Sequence, residues 1–369
     1  MVIPFVDLQR QHAQIAAEVE AGIAEVLERG DFIMGEAVRS FESEFAVFSG
    51  VEYCVGVANG TDALELALRA LEVGHGDEVI VPANTFIATG LAAVRAGARV
   101  VLVDCDPEHY LIDPDRIEAA ITPRTRAAMP VHLYGQMAPL GPIAAAAGNV
   151  PIVEDAAQSQ GASQQGTGSG SVGVIAGTSF YPGKNIGAYG DGGAVLTNDP
   201  DLADNVRKLR NYGSEVKYHH PEVGFNSRLD TIQAVVLRAK LKLLDAWNQQ
   251  RRAAAARYEE LLSGLEAVTL PATLPGNEHV WHLYVVRVPE RDTVLAHLSA
   301  NGVGAGIHYP VPMHLHGAMS DLGYQRGDFP EAEKASDEIL SLPIFPGITD
   351  SEQEQVAEAL AGALRSVSG

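Results

Sequence analysis

Seven short apolar runs punctuate the first half of the chain: Tyr53–Val57, Glu78–Val81, Arg99–Val103, Ala127–His132, Val150–Glu154, Val174–Tyr181 and Ala194–Thr197. Helical patterns fall between most of them, such as the amphipathic stretch Asp62–Leu71. Strand and helix in alternation leave few options. The expected fold is α/β, with a mostly parallel seven-stranded sheet and helices on both faces. A helix-spaced set of apolar residues, Ile15, Val19, Ile23, Val26 and Leu27, precedes the sheet and stops at Gly30.

The second half reads differently. Residues 201–262 are helical apart from a break at Asn211–Asp230, and Thr231–Tyr258 is expected to be one long helix. Beyond Leu265 come a strand at Val280–Val288, a helix at Arg291–Ala300, a glycine-broken stretch at Gly302–Tyr309 that ends in a strand, and a last helix at Ser351–Val367. A chain of 369 residues exceeds one ordinary core. We expect a large domain over 1–245, with the N-terminal helix, and a smaller α+β domain over 246–369.

Composition excludes several function classes. The formal charge of -21 argues against a nucleic-acid-binding surface, which needs clustered Lys and Arg. No run approaches the roughly 18 apolar residues of a membrane span. The N-terminus shows neither a basic segment nor a long apolar one, so a cytoplasmic location is expected. Cys54 and Cys105 form no metal or disulfide framework, which fits a reducing compartment. His308, His314 and His316 lie in a proline-interrupted segment with no acidic ligand, and Tyr218-His219-His220 is no better, so no metal is expected.

One lysine stands apart. Lys184 sits in Ser179-Phe-Tyr-Pro-Gly-Lys-Asn-Ile-Gly-Ala-Tyr-Gly-Asp-Gly-Gly, between two predicted strands. Lys208, Lys217, Lys240, Lys242 and Lys334 lie in helix-like or polar surroundings. Small residues let backbone approach a ligand, and a desolvated amine becomes nucleophilic toward a carbonyl. A solvated lysine in a glycine loop is the competing reading. Asp155, ending the strand before it, shifts the balance. Pyridoxal phosphate needs a lysine for its aldehyde and an acid for its ring nitrogen.

Other pieces of such a site follow. Asn59-Gly60-Thr61-Asp62 stands where a strand yields to a helix, which suits a phosphate. Ser179 adds a hydroxyl, Phe86 a ring to stack, and Gln158 an amide three residues past Asp155. Each has a plain structural alternative as cap or core. Gly168-x-Gly170-x-x-Gly173 has dinucleotide-site spacing, but it precedes a strand and no helix follows, so it is rejected.

With these residues in place the chain resembles the fold-type I pyridoxal-phosphate enzymes. Within them it is most similar to the DegT-type nucleotide-sugar aminotransferases. The motifs are Asn59-Gly-Thr-Asp, Pro82-Ala-Asn-Thr-Phe, Pro130-Val-His-Leu-Tyr-Gly, Glu154-Asp-Ala-Ala-Gln, Ser179-Phe-Tyr-Pro-Gly-Lys and Gly224-Phe-Asn-Ser-Arg-Leu. The similarity runs from Phe5 to Leu342. It implies that Lys184 forms the Schiff base and Asp155 pairs with the ring nitrogen. Gln158 lies near the phenolic oxygen, Phe86 stacks on the ring, and Gly60, Thr61 and Ser179 hold the phosphate. Asn226 reaches the phosphate of a neighbouring subunit, so the resemblance implies a homodimer with shared sites.

L-glutamate is the implied amino donor. The lysine loop and Ile307-His308-Tyr309-Pro310-Val311-Pro312 resemble enzymes that aminate C3 of dTDP-linked 3-keto-6-deoxyhexoses. Tyr181, Lys217, His308 and Tyr309 are the sugar-contact candidates. The competing products are a C4 amine and a UDP-linked 3-amino-uronate. The latter would want an arginine, with Arg210, Arg228 and Arg326 as choices. A dehydratase branch carries histidine in place of the lysine, and a regulator could keep the fold without the reaction.

Overall fold

The computed structural model describes residues 2–367. Helix α1 (Leu8–Arg29) starts where Asp7 accepts from the amides of Gln9 and Arg10, and it stops at left-handed Gly30. Its buried Ile15 and Val19 pack on Val236 and Ala239. Helix α2 (Glu36–Ser49) was not anticipated. It seals Phe41 and Phe45 against Phe180, with ring centroids 5.3 and 5.2 Å apart. It thus backs the strand that delivers Lys184.

The strands and helices then alternate: β1 (Tyr53–Val57), α3 (Gly60–Ala70), β2 (Glu78–Pro82), α4 (Ile87–Ala96), β3 (Arg99–Val103), α5 (Ile117–Ala120), β4 (Thr125–Ala128), α6 (Leu140–Ala147) and β5 (Val153–Asp155). The short ribbon strands β6 (Ser163–Gln164) and β7 (Thr167–Gly168) come next, then β8 (Ile175–Ser179) and β9 (Gly193–Thr197). One sheet has the order β1-β9-β8-β5 and a second the order β3-β2-β4. Two isolated parallel bridges join them, Ala128 to Ile152 and Val131 to Asp155.

The single seven-stranded sheet expected from the sequence is therefore sutured from two. Proline is the reason. Pro130 and Pro151 stand on the facing edges, where each accepts a ladder bond from Asp155 or Ala128 but has no N–H to give. Pairing is parallel for β2 with β3 and β4, and for β5 with β8. β9 is antiparallel to both neighbours. Hence β1, β2, β5 and β8 all end on one edge, and ligands gather at that edge.

After α7 (Pro200–Leu209) and an irregular loop come α8 (Thr231–Leu241) and α9 (Leu244–Leu262). The expected single helix is broken at Lys242–Leu243, where the Leu243 amide bonds the Lys240 carbonyl three residues back. β10 (Asn277–Glu278) joins the β6–β7 ribbon.

The last part pairs β11 (Tyr284–Arg287) with β12 (Ile339–Leu342), among α10 (Arg291–Ala300), α11 (Pro330–Glu338) and α12 (Asp350–Val367). Tyr258, Tyr284, Leu298, Leu340 and Leu360 form the core there. The expected strand from Val280 shortens because Trp281 has a left-handed backbone and the 280–283 segment bends over Gly135. Gly302–Tyr309 forms no strand. Gly302 is left-handed, and only Val303 and Gly306 make single bridges, to Ile3 and Ser341. Among the described residues no helix is long and apolar enough to cross a membrane.

Candidate active site

Four strand ends build the site. β1 leads through Asn59 into α3, and Asn59 caps that helix by accepting from the Asp62 amide at 2.9 Å. Gly60 and Thr61 open the helix, and no acceptor among the described residues takes their amides. Ser179, at the end of β8, lies directly against them. A Cβ on Gly60 would sit 2.6 Å from that of Ser179, so only glycine fits. A helix start with free amides, a hydroxyl and no intervening side chain is a cradle for a phosphate.

β2 leads into Phe86 and α4. Phe86 is 49% exposed and faces Tyr309, with ring centroids 5.1 Å apart. One turn on, Thr89 donates its hydroxyl proton to Asp155 Oδ2 at 2.8 Å. Asp155 Oδ1 accepts from the Ala157 amide at 3.1 Å. Burial, the largest influence, pushes the Asp155 carboxyl above its ordinary value. Thr89, Ala157, Lys184 and His132 pull it back only in part.

Gln158 is oriented by its partners. Its Oε1 accepts from the Tyr134 amide at 2.7 Å, so its Nε2 faces Tyr309, whose hydroxyl accepts at 3.1 Å. The Tyr134 hydroxyl donates to the His308 carbonyl, and the His308 ring rests on Phe5 and Ser341. Burial, with Lys184 nearby, lowers the His308 imidazole to about 4. That ring is neutral at physiological pH.

Lys184 enters from the loop after β8, which is folded tightly on itself. Its amide bonds Tyr181, and Ala188 bonds back to Phe180. Burial brings the Lys184 amine down to about 8, and the charge of Asp155 works weakly the other way. Asn185 ties the loop to the rest of the chain. It donates to Asn248 and to the Val280 carbonyl, each at 2.9 Å. Its remaining oxygen faces His282 Nδ1 at 3.2 Å.

The chain thus brings Lys184, Asp155, Gln158, Phe86, His308 and Tyr309 together, beside the cradle of Gly60, Thr61 and Ser179. Three sequence candidates stand outside that group. Tyr181 is 60% exposed. Lys217 rests over the exposed Tyr218 ring at 5.0 Å. Asn226 is exposed and accepts from Arg228 at 2.6 Å.

Several residues escaped sequence reading. Thr89 follows Phe86 at helical spacing, a signal that was available. Lys240 belongs with them: it lies on a helix as expected, but it is 2% exposed, donating to the Gly187 carbonyl at 2.6 Å. Burial lowers it to about 8, as for Lys184, yet it opens onto no cleft. The rejected glycine motif has a different use. Gly170, Val172 and Gly173 donate their amides to Glu154 at 2.9, 2.8 and 2.6 Å.

Residues 13–361 match the DegT/DnrJ/EryC1/StrS aminotransferase family. A dTDP-3-amino-3,4,6-trideoxy-alpha-D-glucose transaminase of Streptomyces venezuelae is 47% identical over 360 residues, covering 97% of this chain and 95% of the relative. A UDP-2-acetamido-2-deoxy-3-oxo-D-glucuronate aminotransferase of Pseudomonas aeruginosa is 42% identical, covering 97% and 99%. The crystal structure of DesV from S. venezuelae with a ketimine intermediate superposes with a TM-score of 0.96 at 46% identity, covering 98% of each chain.

Proposed function

The chain belongs to the DegT/DnrJ/EryC1/StrS aminotransferase family, and from that premise we propose that it moves an amino group from L-glutamate to C3 of a dTDP-linked 6-deoxy keto-sugar. Pyridoxal 5′-phosphate is the cofactor. The carrying observation is the pairing of a buried carboxylate, Asp155, with a desolvated amine, Lys184, at the carboxyl edge of parallel strands.

The residues fit the cofactor. The Gly60 and Thr61 amides and the Ser179 hydroxyl would hold its phosphate, in a cradle that a Cβ on Gly60 would fill. Phe86 would cover one ring face. Gln158 has a second amide hydrogen to give the phenolic oxygen. Asp155 offers its charge to the ring nitrogen. When bound, the cofactor supplies an aldehyde for amines and a ring that draws electrons. Lys184, with an amine near neutrality, takes and returns the proton at Nζ as general base and acid. Tyr309 and His308 line the sugar's side of the cleft.

The carrier and carbon rest on the S. venezuelae relative. Against a uronate, two of the three arginines considered are engaged within the chain, and the third, Arg326, is a largely exposed side chain. Arg210 is held by Glu42 and the Gly56 carbonyl, Arg228 by Asn211 and Asn226, and Arg326 lies near Glu333. The test is NMR of the product after incubation with glutamate and a panel of keto-sugar nucleotides. Nitrogen on C3 of a dTDP sugar is expected. Nitrogen on C4, or turnover only with the UDP-uronate, overturns the substrate.

We place the reaction in the cytoplasm and on a homodimer. The exposed 211–228 loop would lend Asn226 and Lys217 to the partner's site. Mixing inactive Lys184→Ala with an impaired Asn226 variant should then recover activity, because each mixed dimer keeps one intact site. No recovery after verified subunit exchange would rule sharing out.

A further inference from the structure

Asp155 is held from two sides. The Ala157 amide takes Oδ1, and the Thr89 hydroxyl takes Oδ2 at 2.8 Å. An ionised carboxylate only accepts, so the one proton of Thr89 is committed to Asp155. Thr89 Oγ1 lies 3.1 Å from Thr85 Oγ1, and with its own proton spent it must accept there. The result is a directed chain, Thr85 to Thr89 to Asp155. All three are buried, at 3%, 1% and 4% exposure.

We propose that Thr89 is a positioning residue that keeps Asp155 ionised and in one orientation toward the cofactor ring, with Thr85 fixing the direction of its proton. The inference rests on reading Asp155 as the ring-nitrogen partner. The physical need is plain. Burial favours the neutral acid, and a neutral Asp155 cannot stabilise a positive ring nitrogen. Among the other charged or titratable groups near Asp155, Lys184 favours the ionised form by its charge but does not overcome burial. Glu154 is occupied by His132 and the 170–173 amides. Tyr309 and Lys184 are desolvated. His132 accepts from the Ala138 amide at Nδ1 and meets Glu154 at Nε2, so its hydrogen bonds are spent away from Asp155. Thr89 is β-branched and sits in the first turn of α4, three residues after Phe86, so its χ1 is stiff. One helix start therefore sets both the ring-stacking residue and the carboxylate clamp.

The test is carbon NMR titration of the Asp155 carboxyl in cofactor-free protein, with the pH profile of kcat and the visible spectrum of the loaded enzyme. Thr89→Val, which keeps the shape and loses the donor, should raise the Asp155 titration by about one to two pH units, the size of a hydrogen bond to a charged group. The acid limb of kcat should move up with it. Thr85→Val should shift it less, in the same direction. Thr89→Ser should restore the parent titration. An unchanged titration in Thr89→Val, or equal shifts in Thr89→Val and Thr89→Ser, overturns the proposal. If Thr89→Val does not fold, no shift in Thr85→Val overturns it. A carboxyl shift with an unmoved spectrum and acid limb would instead remove Asp155 from its ring-partner role, leaving the action of Thr89 on Asp155 standing.

Discussion

Glu154 and Asp155 are neighbours on β5, and they face opposite sides of the sheet edge. The side of Glu154 is closed. His132 Nε2 and the amides of Gly170, Val172 and Gly173 all donate to it, and together they outweigh burial, leaving its carboxyl below the ordinary value. The side of Asp155 is open. Among the described residues only two donors reach it, burial wins, and its carboxyl lies above the ordinary value. The difference teaches that saturation with donors marks a structural anion, whereas a buried carboxylate short of donors waits for one.

The contrast can be broken in four places. The largest effect is expected on the open side, at Lys184→Ala. Turnover should vanish, while cofactor held by the phosphate contacts is retained at a measurable level by equilibrium dialysis. Borohydride reduction of the parent should label Lys184 by peptide mapping, and label on another lysine would refute the assignment. Next is Asp155→Asn, expected to lower kcat by about a hundredfold or more. Its cofactor-free form should be no less stable at neutral pH. A carboxyl raised above 3.8 by folding costs stability at any pH where it is charged.

The closed side should respond in the opposite way. Glu154→Gln leaves backbone donors without an acceptor charge, at a cost of about 3 kcal/mol in denaturant unfolding. Activity per folded molecule should change little. Since folding lowers the Glu154 carboxyl, its contribution is complete above 4.5 and disappears as pH falls through the folded value. Equal stability losses in the Gln and Asn variants would erase the distinction. The smallest effect is a pH shift. Aldehyde labelling of Lys184 in cofactor-free protein should be half-maximal near pH 8, and lower still in Asp155→Asn, which removes the charge that holds the proton. Lys240, lowered to a similar value, should stay unlabelled because it is sealed.

Much of this was legible in the residues. Strand runs and their order are visible in apolar periodicity, and Asp155 and Lys184 stand out because each follows a strand. Helix α2 was legible too, since Val38, Phe41 and Phe45 recur at helical spacing between Glu36 and Gly50, but it was passed over. The sheet's division was harder to see, because a proline at an edge matters only once its neighbour is known. Lys240 illustrates the limit. A helix periodicity shows which face a lysine occupies, not whether the opposing surface is a carbonyl or solvent. The donors that saturate Glu154 come from residues up to 22 positions away, and no local pattern contains them.

The glycine segment at 168–173 has one more consequence. Backbone amides converging on an anion form a nest, the device by which many proteins grip a phosphate. Here the chain supplies its own occupant, so the nest is filled as soon as the protein folds. A self-liganded nest cannot recruit a free nucleotide, and added phosphate or sulfate should not compete for it. Its spacing still imitates a nucleotide fingerprint, because the geometry is the same and only the owner of the charge has changed.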